Sequence, residues 1–372
     1  MRERFEKLGQ SLEELSLDAY YCRKTSDIRW LTGFSGVFDS EAAHLALMVG
    51  GDFSVHTDSR YSEAMRSNPA REGLDISDER ISHAKYAATE IAKRADELGV
   101  GKQIRIGIES NIPLNEWRLL AKELQDAGVS FELVETEDPV LALRTVKDES
   151  EIELMKRAQK ITDEAFADLL TWLEPGMTEM QVANEMEYKM RGLGATGLAF
   201  PTIAASGFHS AMPHAVPSEK KIEEGEFVVF DFGASFGDYC SDMTRTVAIG
   251  EVSQQLHEIY DIVLEAHEAC KSVIRPGVER REVHELAQTI ISKGGYPDCF
   301  GHSLGHGVGI DIHEMPTLSP RSTGVLEVGN VVTVEPGIYV PGVGGVRIED
   351  FGVVREDGFE DFTGSPHELQ TI

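Results

Sequence analysis

With 372 residues, 41% apolar content and a net charge of −29, the chain exceeds one ordinary hydrophobic core, and two domains are expected. The negative charge argues against nucleic-acid or anionic-membrane binding, because either polyanion would be approached against the field. No apolar run of about 18 residues or charged-then-apolar leader is read, and Cys22, Cys240, Cys270 and Cys299 lack C-x-x-C spacing. Free thiols in a reducing compartment, hence a cytoplasmic protein without zinc-ribbon chemistry, are expected.

Residues 1–140 read as an α/β domain. Ala43–Val49 and Phe53–Thr57 are strand-like around a Gly50-Gly51-Asp52 turn, and Ile81–Leu98 reads as a helix stopped by Gly99. Ile104–Ile108 follows as a strand and Leu114–Ala127 as a helix stopped by Gly128. No His/Asp/Glu cluster stands out here. Thr57-Asp58-Ser59-Arg60-Tyr61 and His83 are the notable polar groups, read first as loop polarity.

The second domain, residues 141–372, opens on a long helix. Ser150-Glu151-Ile152-Glu153 reads as its capping box, and Ile152, Met155, Ala158, Ile161, Ala165, Leu169 and Leu173 follow at helical spacing up to Pro175-Gly176.

This domain repeats itself. Leu173-Glu174-Pro175-Gly176-Met177, Val182 and Gly194 are echoed at constant offset by Ile274-Arg275-Pro276-Gly277-Val278, Val283 and Gly295. Ile222–Asp231 is likewise echoed by Leu326–Glu335, and both segments are apolar runs ending in an acid. Each half then turns back and offers a second acid, Asp242 in SDMTRT and Glu349 in VRIED.

A pseudo-two-fold domain would gather Asp231, Asp242, Glu335 and Glu349. Four free carboxylates in a small volume repel strongly, and two divalent cations would resolve this. Oxygen-rich ligation with one imidazole suits Mn²⁺, Co²⁺, Fe²⁺ or Zn²⁺. The imidazole candidates lie in Gly301-His302-Ser303-Leu304-Gly305-His306-Gly307-Val308-Gly309 and at His313. The glycines argue against a helix there, so His302 and His306 are not an i, i+4 zinc pair.

Pro213-His214, DFG, SDMTRT, GHSLGHGVG, His313-Glu314, EPGIY and RIED occur in an order that resembles the pita-bread metallopeptidases, and among them the Xaa-Pro peptidases, aminopeptidase P and prolidase. Trp30–Gly36 and Thr57–Tyr61 resemble the creatinase-like N-terminal domain of the two-domain members. The resemblance implies an α/β N-terminal domain before a pseudo-two-fold pita-bread catalytic domain. It implies Asp231, Asp242, His306, Glu335 and Glu349 as ligands of two divalent ions, with Asp242 and Glu349 bridging and Mn²⁺ ahead of Co²⁺ or Zn²⁺. It further implies that His214, His302 and His313 line the substrate pocket beside Arg347, and that the chain is a homodimer. His209 matches no position of the pattern and reads as an ordinary loop histidine.

The expected activity is hydrolysis of Xaa-Pro dipeptides or peptides by a water shared between the metals, with Glu335 passing the proton to the leaving nitrogen. His214 and His313 would donate to the oxyanion. A creatinase-like amidinohydrolase implies a metal-free site, and a non-catalytic peptide-binding homologue implies lost ligands; the intact set of five counts against both. A methionine aminopeptidase would not need the first 140 or so residues.

Overall fold

The computed structural model describes residues 2–39, 41–71, 73–99 and 101–372. It divides into two units, Met1–Arg144 and Thr145–Ile372. Among the described residues, no helix is long and apolar enough to cross a membrane.

The first unit is built on a six-stranded mixed sheet in the order Asp75–Ser77, Asp52–His56, Leu45–Val49, Ala19–Cys22, Ile104–Glu109, Phe131–Thr136. The helices His83–Leu98 and Leu114–Asp126 bury Ala84, Ala87, Ala88, Ile91, Leu120 and Leu124 against Tyr21, Leu47 and Ile106 of the sheet. The expected helix at Ile81 starts two residues later, because Ser82 takes the N-cap and its side chain accepts the Lys85 N–H. The strands Ala19–Cys22, Asp75–Ser77 and Phe131–Thr136 complete the sheet beyond those expected from the sequence. The polar segment at Thr57–Tyr61 serves local contacts: Arg60 pairs with Asp58 and Glu41, and the Tyr61 hydroxyl donates to Asp39.

The second unit opens on the helix Glu149–Trp172. Its capping box is not the one read at Ser150. Asp148 is the N-cap, accepting the Glu151 N–H at 3.0 Å, while Glu151 accepts the Asp148 N–H at 2.9 Å. An acid-x-x-Glu pattern starting two residues earlier satisfies the same orphan donors and lengthens the helix. Ser150 becomes a donor to Asp148 instead. The stripe Ile152, Met155, Ala158, Ile161, Ala165 and Leu169 is buried along the helix face.

The internal repeat is visible in the backbone. Helix Glu149–Trp172, a left-handed Gly176 and helix Glu179–Gly192 are matched by helix Gln254–Val273, a left-handed Gly277 and helix Arg280–Lys293. In the first half the turn docks by Gly176 N–H to Ile222 O and Ile222 N–H to Met177 O. In the second it docks by Gly277 N–H to Leu326 O and Leu326 N–H to Val278 O. Both anchors lie on the segments that lead into the strands Phe227–Phe232 and Val331–Val334.

Each half has its own core. Phe166, Leu169, Val182, Met186, Val228 and Phe230 pack in the first, and Ile259, Val263, Val283, Ala287, Val332 and Val334 in the second. Each fully buried Val, Leu, Ile, Met or Phe side chain among these contributes about 1.5–3 kcal/mol. A pleated strand alternates its faces, so with two helices covering one face, the opposite face is free to present polar groups.

Candidate metal centre

Asp231 and Thr244 face each other across the antiparallel pair Phe227–Phe232 and Met243–Ala248. Asp242 lies immediately before the second strand, two residues from Thr244 and therefore on the same face as it and Asp231. Asp231 does not sit off the end of its strand, as the apolar run suggested. The ladder continues through Phe232, because that residue pairs with Met243. The chain reverses between the acids through a two-residue turn, Gly237-Asp238, with φ of 57° and 71°, the left-handed pair that tight hairpins favour.

In the second half Glu335 directly follows Val331–Val334 and Glu349 directly precedes Asp350–Arg355. The register Val334↔Asp350 makes the two glutamates neighbours across the pair. His306 is the middle residue of Gly305–Gly307, a strand beside Val331–Val334. The flanking glycines are required by crowding: a Cβ at Gly305 would lie 2.0 Å from Thr333 O, and one at Gly307 would lie 2.3 Å from Met315 O.

Asp231, Asp242, His302, His306, His313, His214, Glu335, Arg347 and Glu349 all line one cavity of about 580 Å³. His306 Nε2 lies 3.5 Å from Asp242 Oδ2 and 3.4 Å from Glu335 Oε1. Ligand atoms of Asp242, His306 and Glu349 fall within 4.8 Å of one another. Arg347 Nη2 donates to Asp231 Oδ2 at 2.5 Å, while Asp231 Oδ1 is buried without a hydrogen-bond partner.

Burial raises the carboxyl of Asp242 well above its ordinary value, and Asp231 and Glu335 add to it. Glu349 is raised well above its own by burial and by Asp242, Glu335 and Asp231. Glu335 is pushed up to about 8 by burial, with Arg347 opposing. His306 is held down to about 4 by burial and by nearby His313. With His306 Nδ1 donating to Gly307 O at 3.1 Å, the lone pair of Nε2 faces the acids. Crowded acids, an orphaned carboxylate oxygen and a neutral imidazole aimed at them fit divalent cations, which would relieve the repulsion that protonation otherwise must.

The histidines divide into two kinds. His302 is committed: Nδ1 contacts Ser303 O at 2.8 Å and Nε2 contacts the Tyr339 hydroxyl at 2.9 Å. Among the described residues His214 and His313 make no side-chain hydrogen bond, and both are exposed at the cavity. His209 does not line the cavity. Its Nδ1 lies 3.0 Å from buried Glu179, which also accepts from Ser206 and Ser218 and so ties down both ends of the segment carrying His214.

Sequence reading missed three supporting hydroxyls. Tyr339 accepts from Arg347 Nη1 at 2.8 Å, Thr333 donates to Glu335 at 3.2 Å, and Thr244 donates to Glu349 at 2.7 Å. Tyr339 and Thr244 stand inside EPGIY and SDMTRT, where a polar residue in a buried strand was the available signal.

A duplicated α/β domain that gathers four carboxylates and an imidazole on one cavity defines a metal-dependent hydrolase. Residues 153–356 match metallopeptidase family M24 and residues 4–146 match the creatinase/prolidase N-terminal domain, and the chain belongs to this metallopeptidase family. An uncharacterized peptidase of Bacillus subtilis is 41% identical over 98% of this chain and 99% of its own. An Xaa-Pro dipeptidase from Bacillus anthracis superposes with a TM-score of 0.89 at 40% identity, covering 100% of this chain and 99% of its own. An X-Pro aminopeptidase from Thermotoga maritima superposes with a TM-score of 0.83 at 33% identity, covering 98% of this chain and 100% of its own.

Proposed function

We propose that this enzyme hydrolyses the bond between a first residue and a proline in second position, with Xaa-Pro dipeptides as favoured substrates. The observation that carries the reading is the convergence of Asp231, Asp242, His306, Glu335 and Glu349 on one cavity. The 40% identity to an Xaa-Pro dipeptidase over the full chain supports the substrate class.

Two divalent ions, Mn²⁺ in our reading, would be held by these five side chains, with Asp242 and Glu349 shared, and would supply an acidified water and a polarised scissile carbonyl. Glu335 then carries the proton to the leaving nitrogen, which as a proline nitrogen has no N–H of its own. His214 and His313, whose ring nitrogens make no hydrogen bond among the described residues, donate to the carbonyl oxygen as negative charge develops there. Arg347 holds Asp231, and the Tyr339 hydroxyl between Arg347 and His302 keeps His302 in place. Phe200, Ile203, Val216 and Ile312 supply apolar wall for a pyrrolidine ring.

We propose further that the protein is a cytoplasmic homodimer; its four free thiols suit a reducing compartment. Sedimentation showing a fully active monomer would remove the dimer. The substrate is tested by kcat/KM on Ala-Pro, Ala-Pro-Ala and Ala-Ala, with Mn²⁺, Co²⁺ and Zn²⁺ supplied in turn. Ala-Pro should lead with Mn²⁺; comparable rates on Ala-Ala would refute proline specificity, and a clear preference for Ala-Pro-Ala would make the enzyme an aminopeptidase.

A further inference from the structure

A second group of ligating side chains lies outside the cavity. His267 and Glu268 are consecutive in the helix Gln254–Val273, and His367 comes from the C-terminal segment laid over that helix. The segment is held in place by its backbone: the Tyr260 hydroxyl donates to His367 O at 2.7 Å, and Arg245 donates to Ser365 O at 2.8 Å and Pro366 O at 2.9 Å.

His367 Nδ1 lies 3.0 Å and His267 Nδ1 3.6 Å from the same oxygen, Glu268 Oε1. Tetrahedral ligation with bonds of about 2.0–2.1 Å places neighbouring donors about 3.3 Å apart, and these separations bracket that value. His267 is wholly buried, and its Nδ1 has no hydrogen-bond partner. A buried imidazole left in that state costs free energy unless something binds it.

The far side of both rings is also built. His367 Nε2 and His267 Nε2 approach Asp350 Oδ2 at 2.7 Å and 3.2 Å, placing a carboxylate behind each imidazole, where metal-ligating histidines keep one. Asp350 is itself braced by Arg245 at 2.7 Å and Lys271 at 2.6 Å, and Lys271 also reaches Asp361 at 2.6 Å. Those cations fill the Asp350 side, so an added ion belongs on the Glu268 side. Glu268 is 52% exposed and His367 25% exposed, which leaves a path from solvent.

We propose that His267 Nδ1, His367 Nδ1 and Glu268 Oε1 form a further divalent-cation site, independent of the peptidase reading, that takes Zn²⁺ with its fourth position open to water. Two imidazoles and one carboxylate select Zn²⁺ over Mg²⁺ or Ca²⁺, which prefer all-oxygen shells. An ion here pins the C-terminal segment to its helix and, through Asp350, to the strand that begins right after Glu349.

The test is the Zn²⁺ content per chain after equilibrium dialysis and elemental analysis, with circular dichroism to verify folding. His367→Ala and Glu268→Ala should each hold one Zn²⁺ fewer than the parent chain. In an Asp242→Ala background, which disables the cavity site, one Zn²⁺ should remain and should vanish on adding either change. Equal Zn²⁺ content in the parent and both variants overturns the site, as does an Asp242→Ala chain that binds none. Glu268→Ala removes a half-exposed side chain, so it carries the test if His367→Ala fails to fold.

Discussion

Thr244 and Glu349 join the two halves of the catalytic unit twice: the Glu349 N–H donates to Thr244 O at 3.1 Å, and the Thr244 hydroxyl donates to Glu349 Oε2 at 2.7 Å. The same hydroxyl accepts from Arg347 Nε at 3.0 Å. One side chain on an Asp231-facing strand thus orients an acid from the other repeat.

Thr244→Val keeps the shape and strands Glu349 and Arg347 without this partner. Leaving a buried polar group unsatisfied costs about 1–3 kcal/mol, and losing an outer contact to a ligand weakens metal affinity about 10–100-fold. Urea denaturation and Mn²⁺ dialysis check both effects, and Thr244→Ser should restore them. Unchanged Mn²⁺ affinity in the valine variant would mean that Glu349 is held by its backbone alone.

Asp242→Ala should remove both ions of the cavity, because the proposed site shares its carboxylate between them. Mn²⁺ counting on the dialysed variant decides it. Retention of one Mn²⁺ in the cavity would assign the bridge to a different acid.

Glu335→Gln tests the proton carrier. The amide cannot accept and return a proton, so kcat on Ala-Pro should fall by about two to four orders of magnitude. A variant that keeps its metals and turns over at a near-normal rate would send the proton by another group.

The N-terminal unit should lose stability in acid through its histidines. Burial holds His44 down to about 4, and His44 is completely buried, with Nδ1 2.9 Å from the Thr57 hydroxyl. Its folded value lies below its unfolded value of about 6.5. The contribution is therefore present above about pH 6.5 and is lost as pH falls towards the folded value, since the unfolded chain takes up the proton first. His44→Phe removes this dependence. Relative to the variant, the parent chain should lose about 2 kcal/mol between pH 8 and pH 5, read from urea midpoints by tryptophan fluorescence. Parallel pH curves would show that His44 takes up its proton alike in the folded and unfolded chain.

Much of the catalytic unit was legible because its signals are local. Leu173–Met177 and Ile274–Val278 announce the same turn, and Phe227–Phe230 and Val331–Val334 read as buried strands, since hydrophobic periodicity and Pro-Gly punctuation are properties of neighbouring residues. The glycines around His306 excluded a helix for the same reason, although the need for them, the backbone of Thr333 and Met315 pressed against the strand, is a contact across the sheet. Capping at Asp148 was misplaced because two overlapping patterns satisfy one rule, and only the buried course of the helix selects between them.

What tertiary structure alone decided is pairing between distant residues. That Asp231 opposes Thr244, that Thr244 reaches Glu349, and that Tyr339 ties His302 to Arg347 all depend on strand register, which a one-residue slip would reverse. The split between committed His302 and uncommitted His214 and His313 is invisible in composition, because a histidine's role is set by which of its two nitrogens finds a partner. The meeting of His267 with His367 belongs here too. Nothing local relates a helix to a tail a hundred residues away until Tyr260 of that helix donates to His367 O and Arg245 of the strand Met243–Ala248 donates to Ser365 O and Pro366 O.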